Sequence, residues 1–197
     1  MNKPVTQNLK DYILHLDNWI PKNTLTKTIK ELNSQNQWEP HRWTNLKSHN
    51  PLDFNRGKKE LEVSLIDNLS NRDELMSLTW KAIEKYVVIE KIGGNLFKGW
   101  KGFSKIRFNK YSQGQSMAKH YDHITSVFDG KIKGIPILSI VGVLNDNYKG
   151  GEFIMFDNYE IKFKAGDIII FPSIFLYPHL VKSVKKGTRY SFVSWVY

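Results

Sequence analysis

The region after residue 100 restricts the fold more than any other part of this sequence. Short runs of β-branched and aromatic residues are cut at close, even intervals by Gly, Asn, Asp and Pro. The spacing predicts eight strands: Phe103–Lys110, Met117–Ile124, Pro136–Leu144, Glu152–Phe156, Tyr159–Lys164, Asp167–Phe171, His179–Val184 and Arg189–Val196. Turn signals lie between them, among them Asn145-Asp146-Asn147, Lys149-Gly150-Gly151, Asp157-Asn158, Ala165-Gly166 and Lys186-Gly187. So many short strands in under a hundred residues argue for an all-β sandwich, barrel or jelly roll.

The first hundred residues read as mostly helical. Asp11 to Trp19 alternates enough for an opening strand. Pro21 sits where a first helical turn tolerates it, and Leu25, Ile29 and Leu32 mark one face of a helix reaching about Asn33. Gln35 to Asp53 is polar and without period, with Trp38, His41 and Trp43 as landmarks, and reads as an irregular segment. Asp73 to Lys91 is the strongest helix, with an apolar stripe of Leu75, Leu78, Ala82, Ile83 and Val87 and a stop at Gly93-Gly94-Asn95. The expected architecture is α+β, mainly β, with the N-terminal helices packed on the outside of the sheet. The 197 residues are expected to form one domain: 1–100 supporting, 101–197 the core that carries the site.

Composition removes several function classes. There is no cysteine, so neither a disulfide scaffold nor a thiolate-ligated zinc or iron–sulfur site is available. The longest mostly apolar run, Ile135 to Leu144, is half of what a membrane span needs, about 20 residues. No secretory apolar segment opens the chain, because Tyr12-Ile13-Leu14 is followed by His15 and Asp17. A soluble, cytoplasmic protein without a membrane partner is the expectation. The net charge of +10 invites a nucleic-acid reading. It comes from 24 Lys and only 5 Arg, and the lysines are scattered rather than blocked, which fits a solvated surface.

The chemistry gathers around His120-Tyr121-Asp122. Residues i and i+2 of a strand share a face, so an imidazole and a carboxylate project together. Two polar side chains on a surface strand would give the same pattern. His179, 57 residues after Asp122, opens a late strand and is the candidate third donor; a hydrogen-bonded histidine at a strand end is its plainer role. Two His and one carboxylate with open positions is the donor set of non-haem Fe(II) oxygenases. Arg189 lies among small and apolar residues in Gly187-Thr188-Arg189-Tyr190-Ser191-Phe192 and needs an anionic partner, either a ligand or one of the chain's own acids.

Taken together, Tyr111 to Tyr197 resembles the prolyl 4-hydroxylase-like branch of the 2-oxoglutarate and Fe(II)-dependent dioxygenases. The matching stretches are Tyr-Ser-Gln-Gly-Gln at 111–115 (here Tyr-Ser-Gln followed by Gly114 and Gln115), His120-x-Asp122, Leu144-Asn145 and Gly-Gly-Glu-Phe at 150–153. They continue with Ala-Gly-Asp-Ile-Ile-Ile-Phe-Pro at 165–172, His179 and Val-x-x-Gly-x-Arg at 184–189. Leu16-Asp17-Asn18-Trp19-Ile20-Pro21 is loosely similar to the family's entry segment. The resemblance implies a double-stranded β-helix, or jelly roll. It implies that His120, Asp122 and His179 hold Fe(II), that Arg189 binds the distal carboxylate of 2-oxoglutarate, and that Tyr111 adds a hydroxyl to that carboxylate. O2 is the second co-substrate, and the family's use of ascorbate comes with the resemblance. Ser191 and Trp195 follow Arg189 on one strand face as pocket candidates; core packing serves Trp195 equally well. Tyr121, with Trp43 and Trp100, is a candidate contact for a proline-bearing peptide. His123 points away from Asp122 and is read as structural. Thr125–Gly134 and Gln35–Lys59 are the lid candidates.

The resulting expectation is hydroxylation of a prolyl residue in a peptide or protein, yielding succinate and CO2. Oxidative demethylation of nucleic acid competes within the enzyme class; that branch carries a second arginine after the co-substrate arginine, whereas Arg189 is the last arginine here. Hydroxylation of a free small molecule is a third option. A degenerate, cupin-like binding protein is the non-enzyme alternative, and it predicts loss of a ligand or of the arginine. Oligomeric state is left open.

Overall fold

Two strands whose neighbours cover both faces form the centre of the molecule, and they explain the near-continuous apolar runs around Leu138–Val143 and Ile168–Pro172. The computed structural model describes residues 6–44, 51–52, 59–90, 102–123 and 135–197. In chain order the strands are β1 (Leu14–Leu16), β2 (Glu39–Pro40), β3 (Trp43–Thr44), β4 (Pro51–Leu52), β5 (Lys59–Glu60), β6 (Glu62–Ser64), β7 (Arg107–Tyr111) and β8 (Gln115–His120). They continue with β9 (Leu138–Val143), β10 (Lys149–Gly150), β11 (Phe153–Met155), β12 (Tyr159–Ile161), β13 (Ile168–Pro172), β14 (His179–Val181), β15 (Val184–Lys186) and β16 (Arg189–Val196). The helices are α1 (Lys22–Ser34) and α2 (Arg72–Glu84), the latter running into a π-helical segment, Lys85–Glu90.

A seven-stranded sheet, in the order β1-β13-β9-β16-β7-β6-β2, packs against a five-stranded sheet, β12-β11-β14-β8-β5. This is the jelly roll. Alternation along the shared strands builds two cores. Ile140, Ile168, Ile170 and Phe192 point to the layer under the helices, where Leu32, Leu75 and Ile83 meet them. Val141, Ile169 and Phe171 point between the sheets, onto Met117, Phe153, Met155 and Val181. The helices therefore do lie on the outer face of the larger sheet.

A polar seam joins α1 to α2. Asn71 Nδ2 donates to Thr28 Oγ1 at 2.7 Å and to the Thr24 carbonyl at 3.0 Å, and Thr24 Oγ1 donates to Glu74 at 2.7 Å. The buried carboxylate of Asp167 ties down the entry strand. It accepts from the backbone N–H groups of Asn18 and Lys164 and lies 3.0 Å from His15 Nε2.

Three differences from the sequence reading have physical causes. The first hundred residues do more than support: β1, β2 and β6 extend the seven-stranded sheet, and β5 pairs in parallel with β8. Leu14, Leu16 and Leu61 are buried, and it is this burial that draws those short strands into the sheets. The strand predicted to reach Ile124 ends at His120. The run His179–Val184 divides into β14 and β15, because Val184 pairs with Gly150 of β10 while Val181 stays opposite Phe153 and Met117. Gly150 is required there: its φ is +75°, and a Cβ would lie 2.5 Å from the Ser183 carbonyl. The helix stop at Gly93-Gly94-Asn95, Trp100, and the Thr125–Gly134 segment lie outside the described residues, as do 45–50 and 53–58 of the Gln35–Lys59 stretch.

Candidate active site

The register between β14 and β8 sets His179 directly opposite His120, with ring centroids 4.2 Å apart. Both imidazoles are held by the same local device. Nδ1 of His120 lies 2.8 Å from the Ala118 carbonyl, and Nδ1 of His179 lies 3.1 Å from the Tyr177 carbonyl. A carbonyl only accepts, so Nδ1 carries the proton and Nε2 keeps its lone pair. Those Nε2 atoms face Asp122, at 3.5 Å from Oδ1 for His120 and 3.9 Å from Oδ2 for His179. The three donor atoms lie within 4.8 Å of one another.

Asp122 is not in the strand, contrary to the sequence reading. It follows the end of β8, so strand alternation does not aim it. Ser139 of β9, on the opposite sheet, aims it instead: its Oγ donates to Asp122 Oδ2 at 2.7 Å and shares a 2.7 Å bond with Ser173 Oγ. Burial by itself would raise the Asp122 carboxyl; the two imidazoles and the Ser139 hydroxyl outweigh it and hold the group well below the usual carboxylate range. Burial pulls His179 down to about 4, with the charge of His120 adding to it and Asp122 opposing. At neutral pH His179 is therefore a neutral imidazole beside an ionised carboxylate, which is the state a divalent metal needs. Phe153 stacks on His179 at 5.3 Å and Phe171 meets it edge-on at 5.1 Å, making a dry wall on one side. Two imidazoles and one carboxylate suit Fe(II), and all three side chains line one cavity.

That cavity is lined from both sheets. β16 contributes Arg189, Ser191, Val193 and Trp195, and β7 contributes Arg107, Asn109 and Tyr111. Arg189 is 1% exposed. Its Nη1 donates to Ser191 Oγ at 2.8 Å, while Nε and Nη2 are buried without a partner. Its guanidinium lies 5.0 Å over the Tyr111 ring, and the register places the two residues opposite each other. No carboxylate among the described residues pairs with it. A buried cation with two unsatisfied donors fits an anionic ligand end. Burial pushes the Tyr111 phenol up, opposed by Arg189 and Arg107, so it stays a neutral hydroxyl.

The structure thus brings together His120, Asp122, His179, Arg189, Tyr111 and Trp195, along with Ser191. Tyr121 is not among the lining residues; it is 45% exposed on the surface, because its neighbours on either side turn inward. His123 is exposed and outside the trio. Sequence reasoning missed Arg107, Asn109 and Ser139. The signal for the first two was present in the alternation Arg107-x-Asn109-x-Tyr111, one strand face leading to a residue already singled out. Nothing in the sequence pointed to Ser139.

The description 2OG-Fe(II) oxygenase superfamily matches residues 106–197, the stretch from β7 to the last strand. That stretch is similar to the superfamily over a little under half of the chain. The chain is 35% identical over 95 residues to a PKHD-type hydroxylase of Acinetobacter baumannii, covering 45% of this chain and 41% of that protein. It is 36% identical over 97 residues to a PKHD-type hydroxylase of Hyphomonas neptunium, again 45% and 41%. The match therefore spans about two fifths of the length of these relatives. In fold, the chain is similar to a Pseudomonas putida prolyl-4-hydroxylase, with a TM-score of 0.67 at 18% identity over 94% of this chain and 92% of that one. It is also similar to a Trichoplax adhaerens prolyl hydroxylase in complex with a hypoxia inducible factor oxygen degradation domain peptide fragment. There the TM-score is 0.71 at 17% identity, over 95% and 84% of the two chains. Among the described residues no helix is long and apolar enough to cross a membrane.

Proposed function

We propose that this protein is an Fe(II)- and 2-oxoglutarate-dependent hydroxylase that acts on a prolyl residue of a peptide or protein. One observation carries the reading: the His120, Asp122 and His179 trio shares a cavity with Arg189, a buried guanidinium with unsatisfied donors. His120, Asp122 and His179 would hold the metal. When bound, Fe(II) with 2-oxoglutarate and O2 supplies oxidation of an unactivated C–H bond, with succinate and CO2 as co-products.

The chain's own residues supply placement. Ser139 orients Asp122, and the Ala118 and Tyr177 carbonyls fix the tautomers of the two imidazoles. Arg189 receives the distal carboxylate of 2-oxoglutarate through its free donors, and the Tyr111 hydroxyl donates to the same group. Phe153, Val141 and Val181 keep water from that end of the cavity. Trp195, 6% exposed and lining the cavity at the far end of the same strand face, is the candidate contact for the substrate. The prolyl assignment is supported by the fold's likeness to prolyl hydroxylases, one of them holding a peptide.

Anaerobic titration of Fe(II) and 2-oxoglutarate, read by the visible metal-to-ligand charge-transfer band, tests the site. The band is expected in the wild type and absent in Asp122→Ala. In Arg189→Ala it is expected to need roughly 100-fold more 2-oxoglutarate, the cost of losing a buried charge partner. A folded wild-type protein with no band removes the metal and co-substrate reading. Mass spectrometry of proline-containing peptides incubated with the loaded enzyme then tests the substrate: a gain of one oxygen atom on proline supports it, and oxidation confined to other residues removes it.

A further inference from the structure

Arg107 has no counterpart in the function just described. It lines the same cavity as Arg189 but enters at the other end. The register places Arg189 opposite Tyr111 and Arg107 opposite Val193, four residues along β16. At about 3.4 Å per residue that separates the two backbones by roughly 14 Å. The Arg107 guanidinium lies 5.0 Å over the ring of Trp195, the residue assigned above to the substrate.

Arg107 is half-buried and lines the cavity. Its Nε is buried without a hydrogen-bond partner, and no carboxylate among the described residues forms an ion pair with it. Burial pulls the Arg107 pKa below its ordinary value and Asp122 offsets part of that, but a guanidinium remains charged. Two further polar atoms of the lining are buried without partners: Trp195 Nε1, a donor beside Arg107, and Asn109 Oδ1, an acceptor midway between Arg107 and Tyr111 on β7.

Charge counting points the same way. The lining residues carry two guanidiniums and one carboxylate. A divalent metal and the dianion 2-oxoglutarate cancel each other, so one positive charge is left over in the loaded site. It lies beside the substrate contact and not beside the co-substrate anchor.

We propose that Arg107 receives a carboxylate carried by the substrate, close to the carbon that faces the metal. The substrate is then a carboxylate-bearing residue or molecule: a free amino acid, a C-terminal residue of a peptide, or a proline flanked by an acidic side chain. The planar fork of Arg107, backed by Trp195, matches a carboxylate in two-point contact. This inference rests on the reading of the site as an Fe(II) and 2-oxoglutarate centre.

The test uses Fe(II)- and 2-oxoglutarate-loaded protein without oxygen, titrated calorimetrically with matched probes. These are free L-proline against L-prolinamide, and a short proline-ended peptide acid against its amide. A third pair is a doubly capped peptide with proline beside Asp, against the same peptide with Asn. Within at least one pair, the acid is expected to bind roughly 10- to 100-fold more tightly than its neutral partner. That preference is expected to fall to near unity in Arg107→Gln and to survive in part in Arg107→Lys. The charge-transfer band must persist in both variants, which certifies that fold, metal and co-substrate are intact. Which pair discriminates identifies the source of the carboxylate. Equal binding of acid and neutral probes, binding of no carboxylate probe, or a preference that survives Arg107→Gln overturns the proposal while leaving the band in place. Loss of the band in wild-type protein instead overturns the underlying reading.

Discussion

Ser139 shows how a residue that touches no reactant sets the quality of the candidate metal site. Its hydroxyl crosses from the seven-stranded sheet to the carboxylate of Asp122, which has left the opposite strand and has no alternation to aim it. Ser139→Ala is expected to leave the fold intact and to weaken Fe(II) binding roughly 10- to 100-fold, as loss of an outer hydrogen bond to a ligand does. Titration of the charge-transfer band measures it, and unchanged affinity would show that Asp122 needs no help. Two imidazoles dominate the acid behaviour of the metal-free protein. Burial lowers His179 to about 4 and, with the charges of Arg107 and His120, lowers His41 to about 3. The unfolded chain binds these protons near pH 6.5. Lowering the pH from about 6.5 toward 4 therefore favours the unfolded state, by on the order of 3 kcal/mol per imidazole. Asp122 works at lower pH: its stabilisation is complete above the ordinary carboxylate range and is lost only below it. Thermal melts of apoprotein between pH 7 and pH 4.5 are expected to show a steady fall in Tm; a flat profile would refute the burial of these rings.

At the scale of elements, the packing between β9 and β16 leaves no spare volume. Gly142 lies opposite Phe192 in the register, and a Cβ at Gly142 would come 2.2 Å from the Phe192 ring. Phe192 itself is fully buried beneath the helices. Gly142→Ala is expected to cost about 1–3 kcal/mol of overpacking and to lower Tm by roughly 2–12 °C. Adding Phe192→Leu is expected to recover part of that loss, and purely additive destabilisation would show that the ring is not the obstacle. Each of the eight strands predicted for this half has a counterpart in the predicted order, and the structure adds two, β10 at the Lys149–Gly150 turn and the division of His179–Val184 into β14 and β15. β16 spans Arg189–Val196 as its alternation indicates, whereas β8 gives up its last residues so that Asp122 can turn inward.

For the whole molecule, the segment that carries the family's sequence pattern and the unit that folds are not the same. Residues 106–197 contain every proposed metal and co-substrate residue. Yet β1 covers one edge of the large sheet, β6 covers the β7 edge, and Leu61 is fully buried between the sheets. α1 and α2 cover the outer apolar layer. A fragment of residues 102–197 is expected to be aggregated or unfolded, without a cooperative thermal transition, because it exposes that layer and two open edges. A monomeric fragment that melts cooperatively would overturn this view and make the first hundred residues dispensable for folding.

Local pattern alone reached the β-rich second half, the two helices, the His120, Asp122 and His179 trio and the exceptional position of Arg189. These are legible because periodicity, turn residues and an isolated charge in an apolar strand express themselves over a few neighbouring positions. The family resemblance added the jelly roll and the roles of Arg189 and Tyr111. Tertiary structure decided the rest. Only pairing between distant strands sets His179 opposite His120, and only the approach of the two sheets lets Ser139 reach Asp122. Only the shared face of β7 and β16 shows Arg107 as a second, uncompensated cation in the cavity. A charge is recorded in the sequence, but whether it has a partner depends on every chain segment folded around it.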